Sequence, residues 1–374
     1  MVVRPFAAVL SRPKQIPDYA SFLAQVKEKF TDFQKQGCFS SAKPPAMYVY
    51  QIIEGGKART GLIAAVSIQD YLEERVKRHE HTLVAKEVKQ ADLLQQRQAV
   101  VKPVLLAHRH HQALSDLLAD YANQHKPVQE LQLQSPDETH RLWAITDPEE
   151  IEQIQYYFGR YILNTYIADG HHRFSAIARL YQQREANQEH NPYAYLMCAL
   201  FPETALQIHN FNRAVKGLSD GRSALSFMAS LSRFFNINPL AEAREPLRSH
   251  EMTMLLQGEW FSLRWREKTL LQNSAAGLPT LDVSMLNYYV LQEILGFTDI
   301  RNDKRIKYIE GPRGLAALVE ACENKPSAAF CLHPLGWDSF FRVIDHGLVL
   351  PPKSTWFEPR MRNGIVVQMV AAKE

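Results

Sequence analysis

The stretch from Asn164 to Tyr181 constrains this chain most. Asn164 to Ala168 is a β-branched and aromatic run, and Phe174, Ile177, Leu180 and Tyr181 then recur at helical spacing. Between them stands Asp169-Gly170-His171-His172-Arg173. A strand therefore meets a helix through a polar turn. Gly170 has no Cβ, so another group can approach the backbone closely. The helix start offers N–H groups and the positive end of its dipole, a ready anion site. Arg173 adds a planar fork suited to phosphate or carboxylate. A polar cluster between two apolar elements is costly for folding alone, which points to function.

Composition bounds the rest. The 374 residues are 46% hydrophobic, enough for one large core or two. Lys and Arg number 43 against 40 Asp and Glu, a formal charge of +3, too balanced to indicate a nucleic-acid partner. The opening Met1-Val2-Val3-Arg4-Pro5 shows no secretory signal, and no apolar run reaches membrane-spanning length. Cys38, Cys198, Cys322 and Cys331 are scattered, without a C-x-x-C pair. They read as reduced thiols of a cytoplasmic protein.

Along the chain, Arg4–Leu10 reads as a first strand and Tyr19–Phe33 as a helix. Gln36–Pro45 reads as a loop. Met47–Ile53 and Leu62–Ile68 read as a hairpin through Glu54-Gly55-Gly56-Lys57. Asp70–Gln98 is strongly charged and partly helical. Pro103–Ala107 is a strand, and His108-Arg109-His110-His111 an exposed turn before a helix at Leu114–Tyr121. Val128–Leu133 and Arg141–Ile145 are strands. Asp147-Pro148 starts a helix, Asp as cap and Pro at the first position. Tyr193–Phe201 is expected to pair beside the motif strand, and Gln207–Val215 follows. Beyond Gly217, Leu225–Phe235, Leu286–Leu295 and Leu315–Cys322 read as helices, Met252–Trp265 as a hairpin and Asn273–Pro279 as a linker. Ala328–Leu332 and Gly364–Val370 close as strands. Hairpins, helices and short strands in this mixture argue α+β.

Four polar clusters could carry chemistry: Asp169–Arg173, His79-Glu80-His81-Thr82, Asn210–Arg213, and Lys353-Ser354-Thr355 before Glu358. Phosphoryl transfer needs positive charge and N–H donors at the phosphates, a carboxylate for a metal, and a base for the attacking hydroxyl. Asp169 suits Mg²⁺ or the hydroxyl. Gly170, His171, His172 and Arg173 suit phosphate, Glu80 suits the base, and Lys353, Ser354 and Thr355 could close over phosphates. A transition-metal hydrolase built from His79, His81, His171, His172 and Asp169 is an alternative, although no H-E-x-x-H spacing occurs. There is no G-x-S-x-G elbow, Walker loop or Gly-rich dinucleotide fingerprint.

Three of these segments carry a resemblance. Ile167–Arg173, His79–Thr82 and Pro351-Pro352-Lys353-Ser354-Thr355-Trp356-Phe357-Glu358-Pro359 resemble the signatures of a bacterial family catalogued as domain of unknown function 1015, with Gly61–Tyr71 and Leu281-Asp282-Val283 in the same order. The family's usual Pro-Tyr-Asp-Val segment is not recognisable at Pro17-Asp18-Tyr19-Ala20. More distantly, the Asp169–Arg173 turn resembles the phosphate-binding motif of the ParB/sulfiredoxin-like superfamily, which includes free-serine kinases. No cysteine stands in the turn, so sulfiredoxin chemistry is not implied, and no DNA-reading helix pair is evident.

This likeness implies an α+β fold in two portions. Residues 1–216 would form a mixed sheet with a ParB/sulfiredoxin-like nucleotide-binding core carrying both motifs. Residues 217–374 would form a second α+β portion whose Pro351–Thr355 tail returns to the site. The implied activity is a nucleotide-dependent phosphotransferase on a small hydroxyl metabolite, free serine among the candidates, using ATP or ADP with Mg²⁺. Glu80, Asp169 and His171 would be catalytic, with Asp169 on the metal. Gly170, His172, Arg173, Lys353, Ser354 and Thr355 would bind phosphate, and His79, Thr82, Arg213 and Glu358 would line the site. A non-catalytic sensor of a nucleotide or phosphorylated metabolite is the other reading.

Overall fold

The computed structural model describes residues 1–134, 137–184, 191–216, 223–274, 277–323 and 327–370. The chain forms two compact units, Met1–Gln207 with Pro359–Glu374, and Ile208–Glu358. The strand Gln207–Lys216, read from sequence as the close of the first portion, pairs with Ile306–Glu310 and Ser327–Leu332 of the second. The stretch after Glu358 goes back to the first unit. Residues 217–222, where the texture changes, and 275–276 of the expected linker lie outside the described residues.

The first unit runs β1 (Val3–Arg4), β2 (Ala8–Ser11), α1 (Tyr19–Lys35), β3 (Phe39–Ser41), β4 (Met47–Glu54), β5 (Lys57–Ser67), α2 (Ile68–Leu72), β6 (Val76–Lys77), α3 (Val84–Arg97), β7 (Ala99–Val100), β8 (Val104–His108), α4 (Gln112–Gln124), β9 (Gln129–Gln134), β10 (Asp137–Ile145), α5 (Pro148–Arg160), β11 (Thr165–Asp169), α6 (His171–Gln183) and β12 (Tyr195–Pro202). Among the described residues nine strands make one sheet, in the order β6-β11-β8-β12-β5-β4-β10-β9 with β1 on β5. β6–β11 and β8–β12 are parallel and the other pairs antiparallel, so the sheet is mixed. β2, β3, β7 and the late strand Val366–Met369 form a second, small sheet.

Local sequence explains several of these elements. Asp18 caps α1 by accepting from the Ser21 N–H, and Phe22, Val26 and Phe30 give it one buried stripe. Asp147 caps α5 at the N–H groups of Glu149 and Glu150. The β4–β5 turn places Gly55 and Gly56 at φ 55° and 75°, the two positive angles that its tight hairpin requires.

Other readings needed correcting. The expected strand Arg4–Leu10 is two, split at Pro5: β1 joins the large sheet and β2 the small one. The loop Gln36–Pro45 contains β3. β12 does not lie beside β11. β8 comes between them, with β12 parallel to it and β11 antiparallel. His108 is no exposed turn residue but is buried at the end of β8, where its ring packs edge-on to Phe158 and its pKa falls to about 4 through burial.

The second unit has its own sheet, in the order Phe235–Leu240, Glu259–Trp265, Glu251–Leu256, Ser327–Leu332, Gln207–Lys216, Ile306–Glu310, with Thr355–Glu358 also on Gln207–Lys216. Alternate residues face two apolar clusters, Phe330 with Met254 on one side and Ala329 with Leu255 on the other. The hairpin at Met252–Trp265 is present. Leu286–Ile294 is helical with wide π turns, and Phe235 begins a strand instead of ending a helix. The molecule is α+β throughout.

Candidate functional site

β11 ends at Asp169, just before α6, with a register shift against β8 between Ile167 and Asp169. Gly170 follows at φ 110°, and α6 begins at once with no side chain capping it. First-turn N–H groups have no partners inside a helix, so this end suits an anion. A Cβ on Gly170 would stand 2.8 Å from Arg173 Nη2 and 3.1 Å from Val104 Cγ2. Glycine therefore serves both the turn and the close approach of the guanidinium.

That guanidinium is fixed. Arg173 donates from Nη1 to the carbonyl oxygens of Lys102 and Pro103, both at 2.8 Å, and from Nη2 to Asp169 Oδ2 at 2.8 Å. Lys102 Nζ donates to the same oxygen at 3.0 Å, and Arg360 donates to Oδ1. Burial alone would raise the Asp169 pKa, but Arg173, Lys102 and Arg360 hold it well below the usual carboxylate range. Three cations around one carboxylate leave two positive charges at the start of a helix. Burial lowers the pKa of Arg97, whose guanidinium adds to the same field, to about 10, with Arg173 the next cause.

Asp169 consequently fits Mg²⁺ poorly. Both of its oxygens already bind cations, and those cations would repel a dication. It works as the counter-charge that gathers Lys102, Arg173 and Arg360. Among the described residues no three His, Cys, Asp or Glu side chains group to hold a metal ion.

The segment after β6 brings the second motif to the turn, because β6 runs parallel to β11. His79 is buried, and its ring meets His171 edge-on at 4.3 Å. Its Nδ1–H donates to Ile167 O at 2.8 Å, and burial lowers its pKa to about 4. The His79 N–H donates to His171 Nε2 at 3.5 Å. Burial, then His79, hold the His171 pKa well below its usual value. A neutral His171 accepting at Nε2 carries its proton on Nδ1, and Nδ1 lies 3.3 Å from Glu80 Oε1. Glu80 is the outer end of this chain, its side chain 39% exposed. His172 Nε2 accepts from the Leu83 N–H at 3.2 Å and Thr82 donates to Glu87, which tie the motif loop to α6 and α3.

Residues 7–284 match the family model described as "Protein of unknown function (DUF1015)". The chain belongs to this family. A comparison with curated protein sequences gave no match. Solved structures similar to this family member include SbnI with a C-terminal truncation from Staphylococcus aureus (11% identity, 83% of this chain and 90% of that one, TM-score 0.42). A free serine kinase mutant in complex with AMP is similar at 12% identity (81% and 92% covered, TM-score 0.41). A conserved hypothetical protein from Pyrococcus furiosus is similar at 12% identity (80% and 94% covered, TM-score 0.38).

The remaining residues named from sequence lie in the second unit, where Arg213 meets Lys353 and the others have partners of their own. Arg213 is fully buried, donates to Phe211 O at 2.7 Å and Lys353 O at 3.2 Å, and faces the Tyr308 ring at 5.4 Å. Lys353 Nζ stands 4.8 Å from the Phe211 ring centre. Ser354 donates to Pro351 O, and Thr355 opens a strand. Glu358 meets His209 Nε2 at 3.1 Å and accepts from Trp356 Nε1 at 3.3 Å.

Sequence reasoning missed Lys102 and Arg360. They lie 67 and 191 positions from Asp169, and no local pattern couples them to it. The one available signal was Arg360-Met361-Arg362, two cations in alternation directly after a recognised motif.

Proposed function

We propose that the first unit binds the phosphates of a nucleotide at the Gly170 turn and transfers a phosphoryl group to a small hydroxyl metabolite, free serine being the first candidate. One observation carries this reading: Glu80 Oε1 lies 3.3 Å from His171 Nδ1, so a partly exposed carboxylate stands beside the cationic start of α6. Arg173, Lys102 and the helix N–H groups stabilise phosphate charge as it shifts toward the leaving group. Asp169 holds those cations in place. His171, kept neutral by burial, donates to Glu80 and orients it. Glu80 accepts the hydroxyl proton, the freed oxygen attacks the terminal phosphorus, and the bridging P–O bond breaks to release the shortened nucleotide. Mg²⁺ accompanies nucleotides in such reactions, but Asp169 does not fit as its ligand and no step here runs through it.

The test is incubation with ATP or ADP, Mg²⁺ and a panel of hydroxy amino acids, followed by phosphorus NMR. Glu80→Gln should abolish turnover while calorimetric ADP binding persists. Turnover unchanged in Glu80→Gln removes the base assignment. Nucleotide binding without any turnover in the parent protein would instead favour the sensor reading.

A further inference from the structure

The C-terminal stretch that returns to the first unit is anchored far more firmly than an exposed ion pair requires. Arg360 reaches Asp169 Oδ1, the oxygen that Lys102 and Arg173 leave to it. Two residues on, Arg362 makes a bidentate pair with Glu138 at 2.9 and 2.6 Å. Glu138 is buried and backed by His140 Nε2 at 3.1 Å, and His140 Nδ1 meets the buried Tyr50 hydroxyl at 2.8 Å. Asn363 donates to Leu23 O at 3.0 Å and the Gly364 N–H to Val101 O at 2.7 Å. Gln368, within the strand Val366–Met369, accepts from the Met197 N–H and donates to Tyr195 O. Arg360 lies two residues before Arg362, so the backbone held by the Arg362–Glu138 pair and by the Asn363 and Gly364 hydrogen bonds also fixes where the Arg360 side chain starts.

Of the three cations on Asp169, Arg360 has the most exposed side chain, 36% against 22% for Lys102 and 17% for Arg173. Arg360 is thus the most accessible of the three to an incoming anion. We infer that Arg360 is a polyphosphate-binding residue of the Gly170 site, and that Glu138 and Arg362 are the positioning pair that holds it there. The ligand class is a di- or triphosphate, because a planar fork opposite a helix start can grip oxygens on two neighbouring phosphorus atoms. This rests on the anion-binding part of the proposed function and not on its chemical step. Residues 360–362 also lie beyond the stretch that the family model matches.

The experiment is calorimetric titration of the full chain with inorganic pyrophosphate and with ADP. The parent protein, Arg360→Gln, Arg360→Lys, Glu138→Gln and the Glu138→Gln/Arg360→Gln double variant are compared. Hydrogen exchange across residues 359–370 checks that the stretch stays docked in Arg360→Gln. Loss of one charge-assisted contact predicts roughly 10- to 100-fold weaker binding in Arg360→Gln. Arg360→Lys should recover part of it. If Glu138 acts only through Arg360, the double variant binds no more weakly than Arg360→Gln alone. Equal affinities for the parent and a docked Arg360→Gln overturn the inference, as does a parent protein that binds neither probe. Weakened binding in Arg360→Gln, with no hydroxyl substrate phosphorylated by the parent, keeps this inference and removes the kinase reading. Turnover with unchanged affinity in Arg360→Gln does the reverse.

Discussion

Replacing Gly170 by alanine tests the geometry of the turn, and Gly56→Ala supplies its control. Both glycines have positive φ, 110° and 75°. Both variants therefore carry backbone strain of roughly 1–3 kcal/mol, offset by about 0.4–1 kcal/mol of lost unfolded-state freedom. They differ in what the new methyl meets. Nothing lies within 4 Å of a Cβ on Gly56, whereas one on Gly170 would meet Arg173 Nη2 at 2.8 Å, Cζ at 3.0 Å and Val104 Cγ2 at 3.1 Å. The guanidinium cannot simply swing aside. Moving it breaks bonds to Asp169 and to the carbonyls of Lys102 and Pro103. Losing a hydrogen bond to a charged group costs about 1.5–3 kcal/mol, so Gly170→Ala should exceed Gly56→Ala by at least that much. Hydrogen exchange of peptides covering residues 165–183 reads this directly, since about 1.4 kcal/mol is a tenfold change in the open population. The expected difference is roughly ten- to a hundredfold in protection. Equal losses in the two variants would show that the guanidinium is not held as described. Gly170→Ala should also lose affinity for pyrophosphate, because Arg173 leaves its place at the helix start.

Asp169→Asn removes the charge that gathers three cations and should cost about 3 kcal/mol or more. Added pyrophosphate should then raise the thermal midpoint further than in the parent, and equal increments would refute the counter-charge role. Burial also makes stability depend on His79. With a folded pKa of about 4 against 6.5, the unfolded chain takes up a proton first, so the contribution of His79 to stability is constant above pH 6.5 and is lost between 6.5 and about 4. That gap corresponds to about 3 kcal/mol. His79→Gln should make this part of the stability–pH curve shallower, His108 and His171 supplying the slope that remains, measured as urea midpoints at pH 7 and pH 5. An unchanged slope would mean that the ring is not kept neutral.

What could be read from sequence follows from which interactions are local. The strand, turn and helix around Gly170 were legible because a β-branched and aromatic run gives way to helical apolar spacing across five polar or small residues. The β4–β5 hairpin was legible because Gly55-Gly56 leaves little choice of turn. Glu80 was proposed from its residue type, and only the parallel pairing of β6 with β11 explains why it arrives beside His171. Sheet order was not legible. β8 enters between β11 and β12, and no feature of three apolar runs states which are neighbours. His108 was misread because its polar neighbours suggested a turn, whereas its own position belongs to the last pair of the β8–β12 ladder. The Asp169 role was misread for the same reason. A carboxylate before a glycine suits a metal until Lys102 and Arg360 are seen on its two oxygens.

That last correction strengthens the anion reading. A metal ligand needs a carboxylate with lone pairs to spare, and it makes a site that attracts cations. Here the carboxylate is satisfied, and its pKa is held well down by the charges it collects. The four side chains together remain positive by two charges, in partly buried surroundings where water screens them less than it would in bulk. Stability alone would be served as well by one cation, or by none with an apolar residue at position 169. A cluster overfilled with cations is stabilised by an added anion, and the helix start of α6 supplies N–H donors at the same place. An equimolar cation–carboxylate pair would give no such excess. Loss of one of these charges should therefore cost ligand affinity more than intrinsic stability. Arg360→Gln, at the most exposed cation, should give up pyrophosphate affinity while leaving α6 protection within about tenfold of the parent, the small cost of a partly exposed pair.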